Sequence, residues 1–588
     1  MFKGFHRWLR FQLFRVGRLG KLKITAVLVL LAATLVFHLV IALCLANDEA
    51  GDSKVYVQIA ANVIDHGIYS RDAAAPFTPT FIRTPGYPLF LAGIFKLGGI
   101  GNETAVRIVQ AFLFWLACIF TGMIAAEWVA PGQKTKAFVA TFILAGFCPF
   151  IAIYTATILS EVPTMFLLAV TILAATYAFK SRKRPHSLVW WGIAGVAAGL
   201  NALVRPDAGL FAFGIGLTLV FSIFFRRTKC RSPRVSKGAS GPLAGGIESD
   251  VPPSLTVGLL HHWPNLTDRF VKGIVFSIAF ILPLVPWTIR NEAVFGVFQP
   301  LSPAHAEMPG EFVPQGYYRW VRTWIDDEAY IDPALWRLEI QPLRIEDVPE
   351  YAFSSADEKR RVAELFDAYN SSDPDHPPAT KNASNVVADD NNTNQASPGG
   401  DDDDEDDSAA TDDNGDDQEN DSDVDQQQAD SSTPEEWNLK ITPEVDAQFA
   451  ALARERIARD PWCYYICLPA KRSVSMWFDT HSDWYPFNGE LFPLEDLDHK
   501  NDQQIWLPMF AGLNLIYTFL SFAGLWALYK MQNTRSMVWL FLVLAIGLPR
   551  IVFFGTIENP EPRYLIELFI PAAILGGIFL AVVRSKRL

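Results

Sequence analysis

The chain has no Walker loop, no dinucleotide-binding glycine fingerprint and no His-Glu-x-x-His. That argues against a nucleotide cradled by a glycine-rich loop and against a zincin-type protease. Cysteine is scarce, six in 588 residues. Cys44, Cys118 and Cys148 lie in apolar segments and Cys230 in a basic loop, while Cys463 and Cys467, four apart, make a poor disulfide on one helix. Residues 1–23 contain no acid, and residues 389–430 contain 18 Asp and Glu but no Lys or Arg. Setting those 18 acids aside turns the net charge of −13 into +5. The acidity is therefore local and specifies no partner for the whole chain; nothing points to nucleic acid. Asp421-Ser422-Asp423-Val424-Asp425 looks like the Asp-x-Asp of nucleotide-sugar enzymes, but inside this polar run it reads as solvated spacer.

Half of the residues are hydrophobic. Several apolar runs reach about 20 residues, enough to cross roughly 30 Å of hydrocarbon as helices. About ten spans are expected: 24–46, 104–128, 137–156, 158–179, 188–204, 208–225, 271–289, 507–529, 537–555 and 564–583. The basic tail 1–23, the basic loop within 226–270 and the basic C-terminus place both ends in the cytoplasm. The first apolar run is too long for a cleavable signal peptide. An N-terminal membrane module over 24–290 then includes a first outer loop, 47–102. An extracytoplasmic region follows over 291–505, with a low-complexity acidic insertion at 370–435, and the C-terminal spans occupy 506–588. Val55, Ile59, Ala60, Val63 and Ile64 recur at helical spacing, predicting a surface helix in the outer loop. Thr442-Pro443-Glu444 reads as the capped start of a helix.

Charged clusters recur at span ends on the outer side: Asp52 with Tyr56, Arg83, Ser160-Glu161, Arg205-Pro206-Asp207, Arg290-Asn291 and Glu561-Pro562-Arg563-Tyr564. Arginine is unexpected there under the positive-inside rule. Each has a plain alternative: snorkelling for the arginines, and a first-turn helix position for Asp52 and Glu161. Asp48 and Glu49 compete with Asp52 on spacing. Fixed outer cations suit a phosphate, which Arg grips through two parallel hydrogen bonds. The middles of the spans read as nearly free of charge, unlike a transporter's.

These strings, in order, resemble the polytopic glycosyltransferases of the GT-C fold. The similarity is to the protein-mannosyltransferase and aminoarabinose-transferase branch, glycosyltransferase families 39 and 83. It rests on Asp52-Ser53-Lys54-Val55-Tyr56 running on to His66-Gly67, then Arg83-Thr84-Pro85-Gly86-Tyr87-Pro88. Leu159-Ser160-Glu161, Leu203-Val204-Arg205-Pro206, Pro286-Trp287-Thr288-Ile289-Arg290-Asn291 and Pro562-Arg563-Tyr564 complete it. Many relatives have Asp-Glu where this chain has Asp52-Ser53, and the insertion at 370–435 has no counterpart. The resemblance implies an all-α GT-C-like bundle with surface helices, lying in the plasma membrane. It implies transfer of a sugar, with inversion, from a polyprenyl-phosphate donor to an extracytoplasmic lipid, glycan or protein. Asp52 would be the catalytic base. Substrate would be bound by Glu161, Tyr56, Arg83, Arg205, Asp207, Arg290, Glu561, Arg563 and Tyr564. A divalent metal is a possible cofactor, with Asp52 and Glu161 as candidate ligands. A polytopic transporter or lipid flippase is the alternative.

Overall fold

A computed structural model describes residues 21–45, 51–222, 263–305, 307–373, 439–479, 485 and 501–583. Most of the basic tail, Asp48, Glu49, Cys230, nearly all of the acidic insertion with its Asp-x-Asp, and the last five residues lie outside these. The described residues are helical and contain no strand.

The chain is a multi-pass membrane protein. Seven of its described helices are long and apolar enough to cross a bilayer: Thr25–Cys44, Glu103–Trp128, Glu161–Lys180, Arg184–Val204, Ile505–Lys530, Thr534–Gly555 and Ile566–Val583. Two bent pairs, Pro131–Gly146 with Pro149–Thr155 and Thr267–Ile281 with Leu284–Phe295, raise the number to nine. The tenth expected span corresponds to Pro206–Phe221, an apolar helix that is shorter than a full crossing. Periodicity finds apolar helices but not their bends, which here fall at Cys148-Pro149 and Leu282-Pro283. A proline ring removes a donor and disfavours helical geometry before it.

Helix Phe569–Val583 is apolar all round and sits at the centre of the bundle. It packs against Asn501–Lys530, Lys134–Gly146 and Glu103–Trp128. Close helix approach relies on small residues, as in other membrane bundles. Gly195 and Gly199 let Arg184–Val204 meet the backbone of Trp263–Ile281; a Cβ on either would lie within 2.4 Å of a carbonyl oxygen there.

A second, extramembrane core is built by helices that are not candidate membrane spans. Tyr317, Trp320, Phe366 and Phe449, on helices Gln315–Val321, Ala356–Asn370 and Pro443–Arg459, pack together with Trp324, which follows the first of them. Thr442 caps the last of these, accepting from the Val445 amide. Helix Leu468–Phe478 carries buried Arg472, which donates to the carbonyls of Arg322 (2.5 Å), Ile325 (2.7 Å) and Gly555 (3.2 Å). One guanidinium thereby ties the extramembrane core to the end of helix Thr534–Gly555. Burial without a carboxylate partner brings its pKa down to about 10.

The loop string Arg83-Thr84-Pro85-Gly86 turns into helix Gly86–Gly98 against the end of Arg184–Val204. Gly86 is required by that contact, because a Cβ would lie 2.5 Å from the Leu203 carbonyl oxygen. Gly86→Ala is expected to cost about 1–3 kcal/mol, the usual range for overpacking. It should also lower activity, because Val204-Arg205 must shift. Thermal unfolding in detergent measures the first effect, and wild-type stability would show that the contact yields freely.

Candidate functional site

Gly51 and the first turn of helix Asp52–Asp65 open a cavity of about 880 Å³. Asp52 faces two guanidiniums. Arg83 Nη2 donates to Oδ1 at 2.6 Å, and Arg563 Nη2 lies 3.2 Å from Oδ2. Burial pushes the Asp52 carboxyl up, but Arg83 and Arg563 outweigh it and hold the group below the usual carboxylate range. Tyr56, one turn on, is pushed up to about 12 by burial and then by Asp52, so it stays a neutral phenol. Its ring meets Tyr87 edge-on at 5.0 Å, and Tyr87 donates to Gln110 at 3.0 Å.

The 3₁₀ turn Pro562–Tyr564 supplies Arg563 and Tyr564. Glu561 organises it: its Oε1 accepts from the Tyr564 hydroxyl at 2.9 Å and from Asn559 at 2.6 Å, and its Oε2 pairs closely with Arg563. Just upstream, Glu558 accepts from Arg322 at 3.0 and 2.5 Å, with His305 3.8 Å away. This loop is thus pinned to the extramembrane core as well as to the bundle.

Arg205 closes helix Arg184–Val204, in extended backbone before Pro206. It donates to Glu161 Oε1 at 2.5 Å and Asp207 Oδ1 at 3.2 Å, and lies 3.7 Å from Glu567. Arg550 approaches Asp207 to 2.6 Å as an ion pair without hydrogen-bond alignment, and donates to Glu567 at 2.9 Å and to the Tyr564 carbonyl at 2.7 Å. Three carboxylates and two guanidiniums therefore form one buried chain that runs inward from the cavity wall.

Nine of the ten residues singled out from sequence line this cavity: Asp52, Tyr56, Arg83, Glu161, Arg205, Asp207, Glu561, Arg563 and Tyr564. Arg290 is placed elsewhere. It lies over the rings of Tyr69, Trp287 and Phe295 at 5.0–5.6 Å and donates to the Thr80 carbonyl at 2.7 Å. Sequence reasoning missed Arg550 and Glu567, both fully buried. The signal was available: an ionisable residue inside an apolar run needs a reason to be there. Ser302, Glu328, Trp336 and Asn559 also line the cavity and were not foreseen.

Among the described residues, no group of three or more His, Cys, Asp or Glu is placed to hold a metal ion. Asp52 and Glu161, the candidate ligands, are each ion-paired to arginine, a donor set that does not fit a divalent cation.

Residues 82–240 match the family model of dolichyl-phosphate-mannose-protein mannosyltransferase. The matched stretch contains Arg83, Gly86, Glu161, Arg205 and Asp207. The chain is also similar to two crystal structures of ArnT from Cupriavidus metallidurans. To the apo form it is 12% identical, with a TM-score of 0.30, over 95% of this chain and 78% of that one. To the form bound to undecaprenyl phosphate it is 11% identical, with a TM-score of 0.33, over 96% and 79%. No curated protein sequence matches.

Proposed function

We propose that this chain is an integral membrane glycosyltransferase. It moves a sugar from a polyprenyl-phosphate donor to an extracytoplasmic acceptor, with inversion at the anomeric carbon. The enzyme lies in the plasma membrane with both termini in the cytoplasm. One observation carries the reading: Asp52 stands between Arg83 and Arg563 in the wall of a cavity at one end of an apolar bundle. The family match over residues 82–240 supports it. A donor whose lipid stays in the bilayer needs a site at the membrane surface, and it needs no nucleotide fold. Charges gathered at one end of the bundle suit this better than the transport alternative, which would spread them along a path.

The arginines of the cavity differ in their partners. Arg83 has Asp52 as its ion-pair partner, and its Nε is without a hydrogen bond. Arg205 is shared among three carboxylates. Arg563 pairs with Asp52 and with Glu561. Arg83 and Arg563, the two arginines that flank Asp52, are the groups that take the donor phosphate, and Arg205 positions Glu161. When the phosphate draws Arg83 and Arg563 away, Asp52 loses the charges that depress its pKa and becomes a stronger base. It accepts the proton of the acceptor hydroxyl as the oxygen attacks C1 from the face opposite the phosphate. The C1–O bond to phosphate breaks, and its electron pair leaves on the polyprenyl phosphate, neutralised by the same arginines.

Two outcomes test this. Arg83→Gln should weaken binding of undecaprenyl phosphate about 10- to 100-fold, the value of a charge-assisted hydrogen bond of roughly 1.5–3 kcal/mol. Unchanged affinity would remove Arg83 from the donor site. The pH profiles should also separate. Free-enzyme Asp52 is depressed, so kcat/KM holds down to low pH and falls only as pH drops through that lowered pKa. In the donor complex the pKa is higher, so kcat falls at a higher pH on the acid side. Coincident acid limbs would mean that the phosphate does not release Asp52.

A further inference from the structure

The cavity has two chemically different walls. Arg83 and Arg563 face it near Asp52, while Ser302, Glu328 and Trp336 come from the extramembrane region. Trp336 ends the turn Asp332–Trp336, whose Ala334 is buried in the second core. Trp336 itself is 49% exposed, although it is anchored by a packed turn and lines a cavity. A rigid aromatic face left open in this position can take a flat, weakly polar partner. The negative face of the indole attracts polarised C–H groups, as one face of a sugar ring presents.

Two unmet polar atoms on the same cavity point the same way. Asn559 directs its amide nitrogen at Glu561 Oε1 and the Tyr564 hydroxyl. The carboxylate accepts only, so the orientation of the amide is fixed, and Oδ1 is left buried and without a hydrogen bond. Glu161 gives Oε1 to Arg205 and leaves Oε2 buried and unpartnered. Both of these are acceptors, whereas Arg83 Nε and Arg563 Nε, the cavity donors without a hydrogen bond, lie on the side of the donor phosphate. A buried acceptor without a donor is destabilising, so the ligand that completes the Asn559 and Glu161 side must bring donors. Hydroxyls beside an apolar ring face describe a carbohydrate. An acyl chain offers no donor, and the amides and hydroxyls of a peptide bring donors without the flat C–H face that suits the indole.

We propose that the acceptor is a carbohydrate. One of its sugar rings stacks on Trp336, and its hydroxyls donate to Asn559 Oδ1 and Glu161 Oε2. The hydroxyl that reacts is delivered to Asp52. This rests on the glycosyltransferase reading and adds the acceptor class to it.

The test compares hosts carrying the wild-type chain, Asp52→Asn, Trp336→Ala, Trp336→Leu and Trp336→Phe. Mass spectrometry of cell-envelope glycans, lipids and proteins is the first readout, and binding of undecaprenyl phosphate to each purified full-length protein is the second. The product missing in Asp52→Asn should be a sugar linked to another sugar. Trp336→Ala and Trp336→Leu should lower it about 3- to 10-fold, the worth of an aromatic stacking contact. Trp336→Phe, which keeps a ring face, should stay closer to wild type, and all three should bind undecaprenyl phosphate normally. If the missing sugar sits on a protein hydroxyl or a lipid without a neighbouring sugar, the proposal is overturned. Wild-type product from Trp336→Leu overturns the stacking role, because leucine keeps the bulk without the ring. Loss of donor binding in Trp336→Ala and Trp336→Leu would place the indole in the donor site and overturn it too. No missing sugar in Asp52→Asn would bring down the glycosyltransferase reading itself, a separate failure.

Discussion

Asp52→Asn is expected to lower sugar transfer about 100- to 10,000-fold, the usual range for a lost general base. The chain should still fold. Asn keeps the shape of Asp at the first turn of the helix, and the partly exposed carboxylate is not a core group. Donor-phosphate affinity supplies the sharper readout. The Asp52 carboxylate occupies Arg83 and Arg563, so the phosphate must compete with it. The neutral amide of the variant brings no charge to that competition, and undecaprenyl phosphate should bind at least as tightly as to wild type. A variant that binds donor tightly yet transfers nothing separates loss of the base from loss of the site. Turnover within a few fold of wild type would remove Asp52 from the chemistry. Weakened donor binding would mean that its part is to hold the arginines, not to take a proton.

The cationic clusters were legible in sequence because each lies where an apolar run ends, a place in which charge needs a reason. Arg205 and Asp207 flank one proline, and Glu561 and Arg563 flank another, so half of each pairing is local. The partners across the fold were not legible. Glu161 meets Arg205, and Arg563 meets Asp52, through contacts that no periodicity encodes. Arg290 shows the converse. It occupies the same kind of position as Arg205, yet Trp287, three residues before it, gives it an aromatic face close by. With that face, the Tyr69 ring and the Thr80 carbonyl around it, Arg290 is held without a carboxylate. Helices were legible by length and apolarity, while the bends at Pro149 and Pro283 were absorbed into single spans.

Arg550 is the residue whose loss should cost the most stability. It is fully buried, between Asp207 at 2.6 Å and Glu567 at 2.9 Å, with Phe211 and Phe554 rings at 4.8 and 4.9 Å. Arg550→Met preserves much of the volume but leaves Glu161, Asp207 and Glu567 to share Arg205 alone. Breaking a buried pair by removing one partner typically costs about 3–5 kcal/mol, because the remaining charge is uncompensated. Arg550→Lys should fall between, since it keeps the charge but not the fork that bridges two acids. The decisive variant is Arg550→Met combined with Glu567→Gln. It returns the buried chain to a single carboxylate in excess, as in the wild type, and replacing both members of a buried pair is often near neutral. Unfolding in mixed micelles should therefore show the double variant more stable than Arg550→Met alone. Additive losses would mean that the two residues act independently, and that the short contact between them carries little of the energy. Transfer activity should follow stability only in part: Glu567 also touches Arg205, so its neutralisation shifts Arg205 toward Glu161 and alters the acceptor side of the cavity.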